Sequence, residues 1–115
     1  MAFTEIERAK YENLVSNLIQ NRRIQATENG FEFNNQSIEL FETHPSTSNE
    51  KDFFNISVAK ITYIRTTDIW KISWMRGSLK WQGYRKHPEV KKLGEALFII
   101  AEDEDRLFWK LSSAT

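Results

Sequence analysis

The sequence predicts a single α+β domain, residues 1–115, in which an N-terminal and a C-terminal helix cover one face of an antiparallel sheet. Apolar residues recur at helical spacing near both ends of the chain, whereas the middle alternates apolar and polar residues as strands do. Short turns join most of these segments, so a hairpin and a three-stranded meander should form a sheet of about five strands. With 40% hydrophobic and 13% aromatic residues, the chain can build one modest core.

The first helix is predicted over residues 5–20. Thr4 and Glu7 have the T-x-x-E spacing of a capping box, in which each side chain accepts the other's backbone N–H. Phe3 precedes the cap and is placed to pack on the first turn. The apolar residues that recur at helical spacing are Ile6, Leu14, Val15, Leu18 and Ile19.

A β-hairpin and a meander follow the first helix. Residues 31–33 alternate as a strand, Asn34 and Asn35 tolerate the positive φ of a tight turn, and residues 37–41 alternate again. The polar segment 44–52 is predicted to be a loop. Three further strands are predicted at residues 55–65, 69–76 and 79–84.

The second helix is predicted to open at His87 and Pro88, with Pro88 in its first turn. Gly94 lies inside it, where the missing side chain would let a neighbouring segment approach. The acidic run 102–105 should end the helix in a solvent-exposed turn, and residues 107–109 form a short apolar tail. The apolar stripe of this helix consists of Val90, Leu93, Leu97, Ile100 and Ala101.

The zero net charge of the chain hides a segregation of charge along it. Lys and Arg minus Asp and Glu give 4 − 3 = +1 for residues 1–23 and 1 − 6 = −5 for residues 24–57. The same count gives 9 − 2 = +7 for residues 58–92 and 2 − 5 = −3 for residues 93–115. The positive block could bind an anionic partner or pair with the acidic segments beside it, and the sequence leaves both alternatives open.

Composition also favours one cellular compartment. The chain has no cysteine, which excludes disulfides, thiolate metal sites and cysteine nucleophiles and fits a reducing cytoplasm. The first residues are charged throughout, unlike a signal peptide. No stretch approaches the roughly 18 apolar residues of a membrane span. We therefore expect a soluble cytoplasmic protein that does not bind membranes.

The predicted strand 69–76 has two unlike sides. Trp70, Ile72 and Trp74 share one side, which we expect to meet the helices. Ile69 and Met75 then leave a partly apolar outer face, which predicts a homodimer or ligand surface. The alternative is that the apolar tail 107–109 shields the edge of the sheet.

With the strands placed, the sequence resembles a family of small bacterial proteins catalogued as domain of unknown function three thousand and twenty-four. The segments that carry the resemblance are IELFE at residues 38–42 followed by His44 and Pro45, VAKI at 58–61, WKISWMR at 70–76 and LKW at 79–81. The resemblance implies an α+β fold and no assigned activity. The chain departs from the family pattern at Gln82, where a histidine is expected, and at His44, where an arginine is expected. A catalytic or metal-binding role of that histidine in the family would be missing here.

No residue of the chain is predicted to be catalytic, cofactor-binding or metal-binding. His44 and His87 each precede a proline in a predicted loop, and their spacing is not that of metal ligands. The sequence has no nucleophile motif and no phosphate-binding glycine loop. We therefore expect no cofactor.

The best candidate surface for a polyanion or another ligand lies in the positive block. Cations beside an aromatic ring on a sheet face hold single-stranded nucleic acid in several proteins. The alternative places Trp81 in the core and pairs the cations with Glu32, Glu39 and Glu42. The candidate contact residues are Lys60, Lys71, Arg76, Lys80, Trp81 and Arg85.

The sequence thus predicts a small binding or interaction module that acts by protein contact, as a homodimer with Ile69 and Met75 at its interface. Nucleic-acid binding through residues 58–86 is the first alternative. A small enzyme without an identifiable motif is the second. The biological role and the physiological partner are not determined by the sequence.

Overall fold

The two helices and the antiparallel sheet confirm the predicted α+β fold. A computed structural model describes residues 3–21, 29–45 and 53–109. Strands β1 to β5 pair in chain order as antiparallel neighbours, and β6 pairs with β4. The elements are α1 (Glu5–Asn21), β1 (Asn29–Asn34), β2 (Ser37–Pro45), β3 (Phe53–Ile64), β4 (Ile69–Met75), β5 (Trp81–Gly83), β6 (Glu89–Val90) and α2 (Leu93–Glu102).

The predicted capping box starts α1. The backbone N–H of Thr4 donates to Glu7 Oε1 at 2.9 Å, and the N–H of Glu7 donates to Thr4 Oγ1 at 3.2 Å. Phe3 reaches beyond the first turn, because its buried ring packs 5.1 Å from Tyr11 and 5.9 Å from Trp70, between ring centroids. The chain therefore enters α1 already anchored to the sheet.

The hairpin β1–β2 forms as predicted, but β2 is longer than its sequence indicates. Asn35 adopts the positive φ of 55° in the turn. The prediction of a loop from residue 44 is wrong at its start, because His44 and Pro45 pair with Phe54 and Phe53 of β3. The long β3 supplies backbone partners to a segment whose polar composition gives no strand signal. The rest of that predicted loop, residues 46–52, lies outside the described residues.

The last strand of the predicted meander is shorter than expected. Of the predicted strand 79–84, Trp81–Gly83 forms β5, and the N–H of Tyr84 adds one further bond to β4, to the carbonyl of Ile72 at 2.9 Å. Leu79 lies in the β4–β5 turn with a φ of 65° and donates its N–H to the carbonyl of Arg76 at 2.8 Å. A positive φ removes this leucine from the strand ladder and leaves it 78% exposed.

His87 and Pro88 do not open the second helix. Residues 89–90 instead form β6, in which Val90 pairs with Trp70 and is buried. The helix begins at Leu93, and its buried residues are Leu93, Ala96, Leu97 and Ile100. The reason is tertiary, since β4 offers free ladder positions that a short segment can fill. Gly94 is not needed for a close approach, because a Cβ there would have no neighbouring atom within 4 Å.

The acidic run after α2 is not simply solvent-exposed, because Asp103 is buried. Asp103 adopts a φ of 44°, and its carboxylate accepts the backbone N–H groups of Leu107 at 2.8 Å and of Phe108 and Trp109 at 3.1 Å each. Trp109 is 1% exposed and donates its indole N–H to the carbonyl of Ile100 at 2.9 Å. The apolar tail therefore belongs to the core, and one carboxylate holds it there.

A bidentate ion pair joins α1 to the end of β3. Arg65 donates to both carboxylate oxygens of Glu7, at 2.7 and 3.2 Å. These hydrogen bonds, together with the N–H of Thr4, lower the pKa of Glu7 from its ordinary value of 4.5 to about 2. Glu7 thus serves both the helix cap and the contact between helix and sheet.

We predict that Asp103→Ala lowers the free energy of unfolding by about 2–4 kcal/mol, because three backbone N–H groups lose their acceptor in a buried site. Asp103→Asn should cost less, since asparagine tolerates a positive φ and retains one acceptor oxygen. Urea denaturation followed by tryptophan fluorescence measures both. Glu102→Ala on the exposed end of α2 is the control. Equal stability of Asp103→Ala and wild type would contradict the role of this carboxylate.

We predict that Glu7→Gln removes part of the acid sensitivity of the fold. The folded-state pKa of Glu7 lies below its ordinary value, so its contribution to stability is present above pH 4.5 and is lost as the pH falls from 4.5 to about 2. The variant should be less stable than wild type at neutral pH, and the difference should shrink across that window. Denaturation curves at stepped pH test this, with the exposed Glu12→Gln as control. A difference independent of pH would refute the prediction.

Candidate functional site

The two faces of the sheet differ in what covers them. The prediction that Trp70 and Ile72 face the helices is correct, since these side chains are only 3% and 1% exposed. The ring centroid of Trp70 lies 5.1 Å from that of Tyr11 on α1. Val90 of β6, just before α2, pairs with the backbone of Trp70. We call the opposite side the outer face. Strand register places these side chains on it: Glu32, Glu39, Lys60, Thr62, Ile64, Ile69, Lys71, Ser73, Met75, Trp81 and Glu89.

Trp81 is on the outer face and not in the core. Its side chain is half-buried, and the Nζ atom of Lys60 lies 5.1 Å from the centroid of its ring. This is a cation–π distance. Glu39, which stands opposite Lys60 on β2, instead accepts a hydrogen bond from Ser57 Oγ at 2.7 Å. The structure therefore brings a cation and an aromatic ring together on an open sheet face.

The positive block divides into paired and unpaired cations. Arg65 pairs with Glu7, and Lys86 lies 3.0 Å from Glu104 and 3.7 Å from Asp105. The five predicted contact cations make no ion pair with any described residue. They are Lys60, Lys71, Arg76, Lys80 and Arg85. Internal pairing thus accounts for only part of the block.

The predicted contact residues do not form one cluster. Lys60, Lys71 and Trp81 share the outer face, and Arg76 and Lys80 flank the β4–β5 turn, where the N–H of Arg76 donates to the carbonyl of Lys80 at 2.9 Å. Arg85 follows β5 and lines a cavity on the helix side of the sheet. Lys60, Lys71 and Trp81 therefore share the outer face, Arg76 and Lys80 lie at the turn next to Trp81, and Arg85 is separate.

The predicted dimer residues Ile69 and Met75 lie at opposite ends of β4. Both are half-buried on the outer face, where Ile69 pairs with Ile64 and Met75 pairs with Trp81. The charged side chains around them are segregated. Glu32 and Glu39 stand opposite each other on β1 and β2, whereas the lysines lie on β3 and β4. The outer face is thus acidic on β1 and β2 and carries its lysines on β3 and β4, where Glu89 of β6 stands opposite Lys71, and it is apolar at both ends of β4.

A cavity of about 420 Å³ lies beside β5 on the helix side and includes Trp74. Gln82, one of the two positions at which the chain departs from the family pattern, lines it. Burial and a hydrogen bond of 2.8 Å to Asp105 raise the pKa of the Tyr84 hydroxyl to about 12. The lining residues are Trp74, Gln82, Gly83, Tyr84, Arg85, Lys86, Asp105 and Leu107.

A second cavity, of about 630 Å³, lies between the two helices and the sheet. The hydroxyl of Tyr63 donates to Asp68 Oδ1 at 2.6 Å, and this bond raises the pKa of Tyr63. Burial raises the pKa of Tyr11. Sequence reasoning missed this cavity because its walls come from four distant segments. They comprise Lys10, Tyr11, Leu14, Tyr63, Asp68, Trp70, Lys91, Lys92, Leu93, Gly94 and Glu95.

Among the described residues, no three His, Asp or Glu side chains converge as metal ligands. His87 is exposed, with its ring centroid 6.1 Å from that of Tyr84, and the side chain of His44 lies outside the part of the chain that the structure describes. Neither α1 nor α2 is long and apolar enough to cross a membrane.

Comparison with known proteins places the chain in a family. The family described as Domain of unknown function (DUF3024) matches residues 2–110, which include all helices and strands of the described residues. The chain belongs to the DUF3024 family. This confirms the resemblance carried by the strands. No match was found among curated proteins or among solved structures. The family description assigns no activity to DUF3024, so function is argued from the outer face and the cavities.

Proposed function

We propose that this DUF3024 protein is a binding module that acts by protein contact, and that its outer face joins two copies of the chain. The observation that carries the proposal is the composition of that face. It combines half-buried apolar side chains at Ile64, Ile69, Met75 and Trp81 with carboxylates on β1 and β2 and lysines on β3 and β4, Glu89 of β6 being the one acid beside the lysines on the described part of this face. The proposed location is the bacterial cytoplasm, which the cysteine-free sequence supports.

The apolar residues favour association of two sheets. Both described helices pack against the other side of the sheet, so these side chains are not covered by α1 or α2. Face-to-face packing of two sheets about 10 Å apart would remove them from water. Removing such apolar surface from water is the main driving force of association.

The charge distribution favours a second copy of this chain and specifies its orientation. In a two-fold dimer the same patch meets itself. A two-fold axis parallel to the strands would place β1 and β2 of one copy over β3 to β5 of the other. The carboxylates Glu32 and Glu39 of one copy would then face the partner's lysines at positions 60 and 71, and each copy would make both contacts. An axis across the strands would instead place like charges together.

We predict that Ile69→Glu and Met75→Glu each weaken self-association by about a hundredfold, because each places a charge in a desolvated apolar contact. Sedimentation velocity over a concentration series measures the dimer dissociation constant. Ile6→Glu on α1 is the matched control, since Ile6 is 83% exposed and far from the outer face. A monomeric wild-type protein at all concentrations, or a dimer insensitive to both outer-face changes, would rule out this interface.

We predict a reciprocal effect of charge reversal at two exposed positions. Glu32→Lys alone and Lys71→Glu alone should each weaken the dimer about tenfold, because each creates a like-charge contact across the axis. The double variant should recover most of the affinity, since the reversed charges face each other again. Recovery distinguishes the proposed axis from any arrangement in which these residues do not meet. Additive losses in the double variant would argue against that axis.

A second candidate function is binding of single-stranded nucleic acid through the same end of the sheet. The specific observation in its favour is Lys60 over the Trp81 ring, beside Arg76 and Lys80, which make no ion pair with any described residue. Cations neutralise phosphates while an aromatic ring stacks on a base. This use of the face would compete with self-association.

We predict for this second function that single-stranded DNA or RNA quenches tryptophan fluorescence at low salt. Arg76→Ala with Lys80→Ala should lower the slope of log affinity against log salt by about 1.5, roughly 0.7 to 0.9 per lost phosphate contact. Arg8→Ala with Arg106→Ala is the control, because these two exposed arginines lie on α1 and just after α2 and belong to neither the outer face nor the β4–β5 turn. Unchanged binding by the variant with Arg76→Ala and Lys80→Ala, or no quenching at any salt, would exclude the second function.

A further inference from the structure

The cavity of about 630 Å³ between α1, α2 and the sheet has the size of a small-molecule site. It lies on the side of the sheet opposite to the outer face. A ligand here would therefore be independent of self-association and of nucleic-acid binding. Three of its features concern ligand chemistry: its aromatic wall, its lysines and its glycine.

The aromatic wall consists of three rings, of which Trp70 contacts both Tyr11 and Tyr63. The ring of Trp70 lies 4.8 Å from Tyr63 and 5.1 Å from Tyr11, between centroids. The contact with Tyr11 is edge to face at 88°, and because Trp70 is only 3% exposed, the half-buried rings of Tyr11 and Tyr63 offer most of the accessible aromatic surface. Such a wall favours a planar aromatic group over a flexible chain.

The lysines give the cavity a positive charge. Lys10 comes from α1, and Lys91 and Lys92 precede α2. No carboxylate of the described residues lies within ion-pair distance of them. Of the two acidic side chains in the lining, Asp68 already accepts the Tyr63 hydroxyl, and Glu95 is exposed. The charged lining residues, three lysines against Asp68 and Glu95, sum to +1, which favours an anionic group.

Gly94 leaves room in the wall that these lysines share. A Cβ at this position would meet no heavy atom within 4 Å, so packing within the described residues does not require a glycine. The backbone there can therefore be approached closely from the cavity.

We propose that this cavity binds a small ligand in which a planar aromatic ring carries an anionic group, with the ring against Tyr11, Tyr63 and Trp70 and the anion beside Lys91 and Lys92. A nucleoside monophosphate and an aromatic carboxylate both have this chemistry. They differ in the charge and shape of the anion, and separate arms of one experiment distinguish them.

The test is isothermal titration of the full-length protein with adenosine monophosphate and with indoleacetate. Adenosine and inorganic phosphate, each carrying half of the proposed chemistry, are the comparison probes. We expect one of the first two probes to bind at least tenfold more tightly than either half. Lys91→Ala with Lys92→Ala should reduce that affinity at least tenfold. Arg8→Ala with Arg106→Ala, which removes two exposed cations outside the cavity lining, should leave it unchanged.

A steric variant keeps the test independent of charge. Gly94→Leu has free space for its first side-chain atom and should fold, but the larger side chain should block the cavity and abolish binding. Gly77→Leu is the matched control, since a Cβ there also meets no atom within 4 Å and the β4–β5 turn is remote from the cavity. Binding that survives Gly94→Leu, or failure of both aromatic anions to bind folded wild-type protein, overturns the proposal. Neither outcome bears on the dimer.

Discussion

The packing of the Trp70 side chain is the contact on which the rest of the structure depends. Its ring touches Phe3 before α1, Tyr11 within α1 and Tyr63 on β3, all at centroid distances of 4.8 to 5.9 Å. The backbone of Trp70 also pairs with Val90, which leads into α2. One side chain thus joins both helical regions to the centre of the sheet. Because successive residues of a strand point to opposite faces, burying Trp70 fixes Ile69 and Lys71 on the outer face.

That constraint creates the two surfaces with functional interest. On the outer face it leaves apolar side chains of β4 next to Trp81 and Lys60, without cover from α1 or α2. On the helix side, the same ring forms the floor of the cavity that Lys91, Lys92 and Gly94 complete. The two proposals, self-association and a small anionic ligand, therefore use opposite sides of the same strand. Changes at one surface can be made without touching the other.

Polar groups determine how the ends of the chain join this core. The carboxylate of Asp103 gathers three backbone N–H groups and so places Trp109 against Ile100, while Glu7 and Arg65 hold α1 to β3. These buried and half-buried acids are satisfied by specific partners, as polar groups in a folded protein must be. The cations left without such partners among the described residues are concentrated on the outer face, the β4–β5 turn and the cavity rims. The positive block therefore contains both cations that stabilise the fold and cations that remain available to a partner, which its net charge alone does not reveal.

The sequence by itself determined the features that depend on local chemistry. The capping box at Thr4 and Glu7, the asparagine turn at Asn35 and the alternation around Trp70 each follow from residues within a few positions of one another, and each is present in the structure. Only the tertiary structure decided the features that depend on distant partners. His44 and Pro45 extend β2 because β3 lies beside them, and Val90 joins the sheet because β4 has unpaired positions. Burial of Asp103 and convergence of Tyr11, Tyr63 and Lys92 likewise require the folded chain, since hydrogen-bond satisfaction and cavity shape are properties of packed elements and not of neighbouring residues.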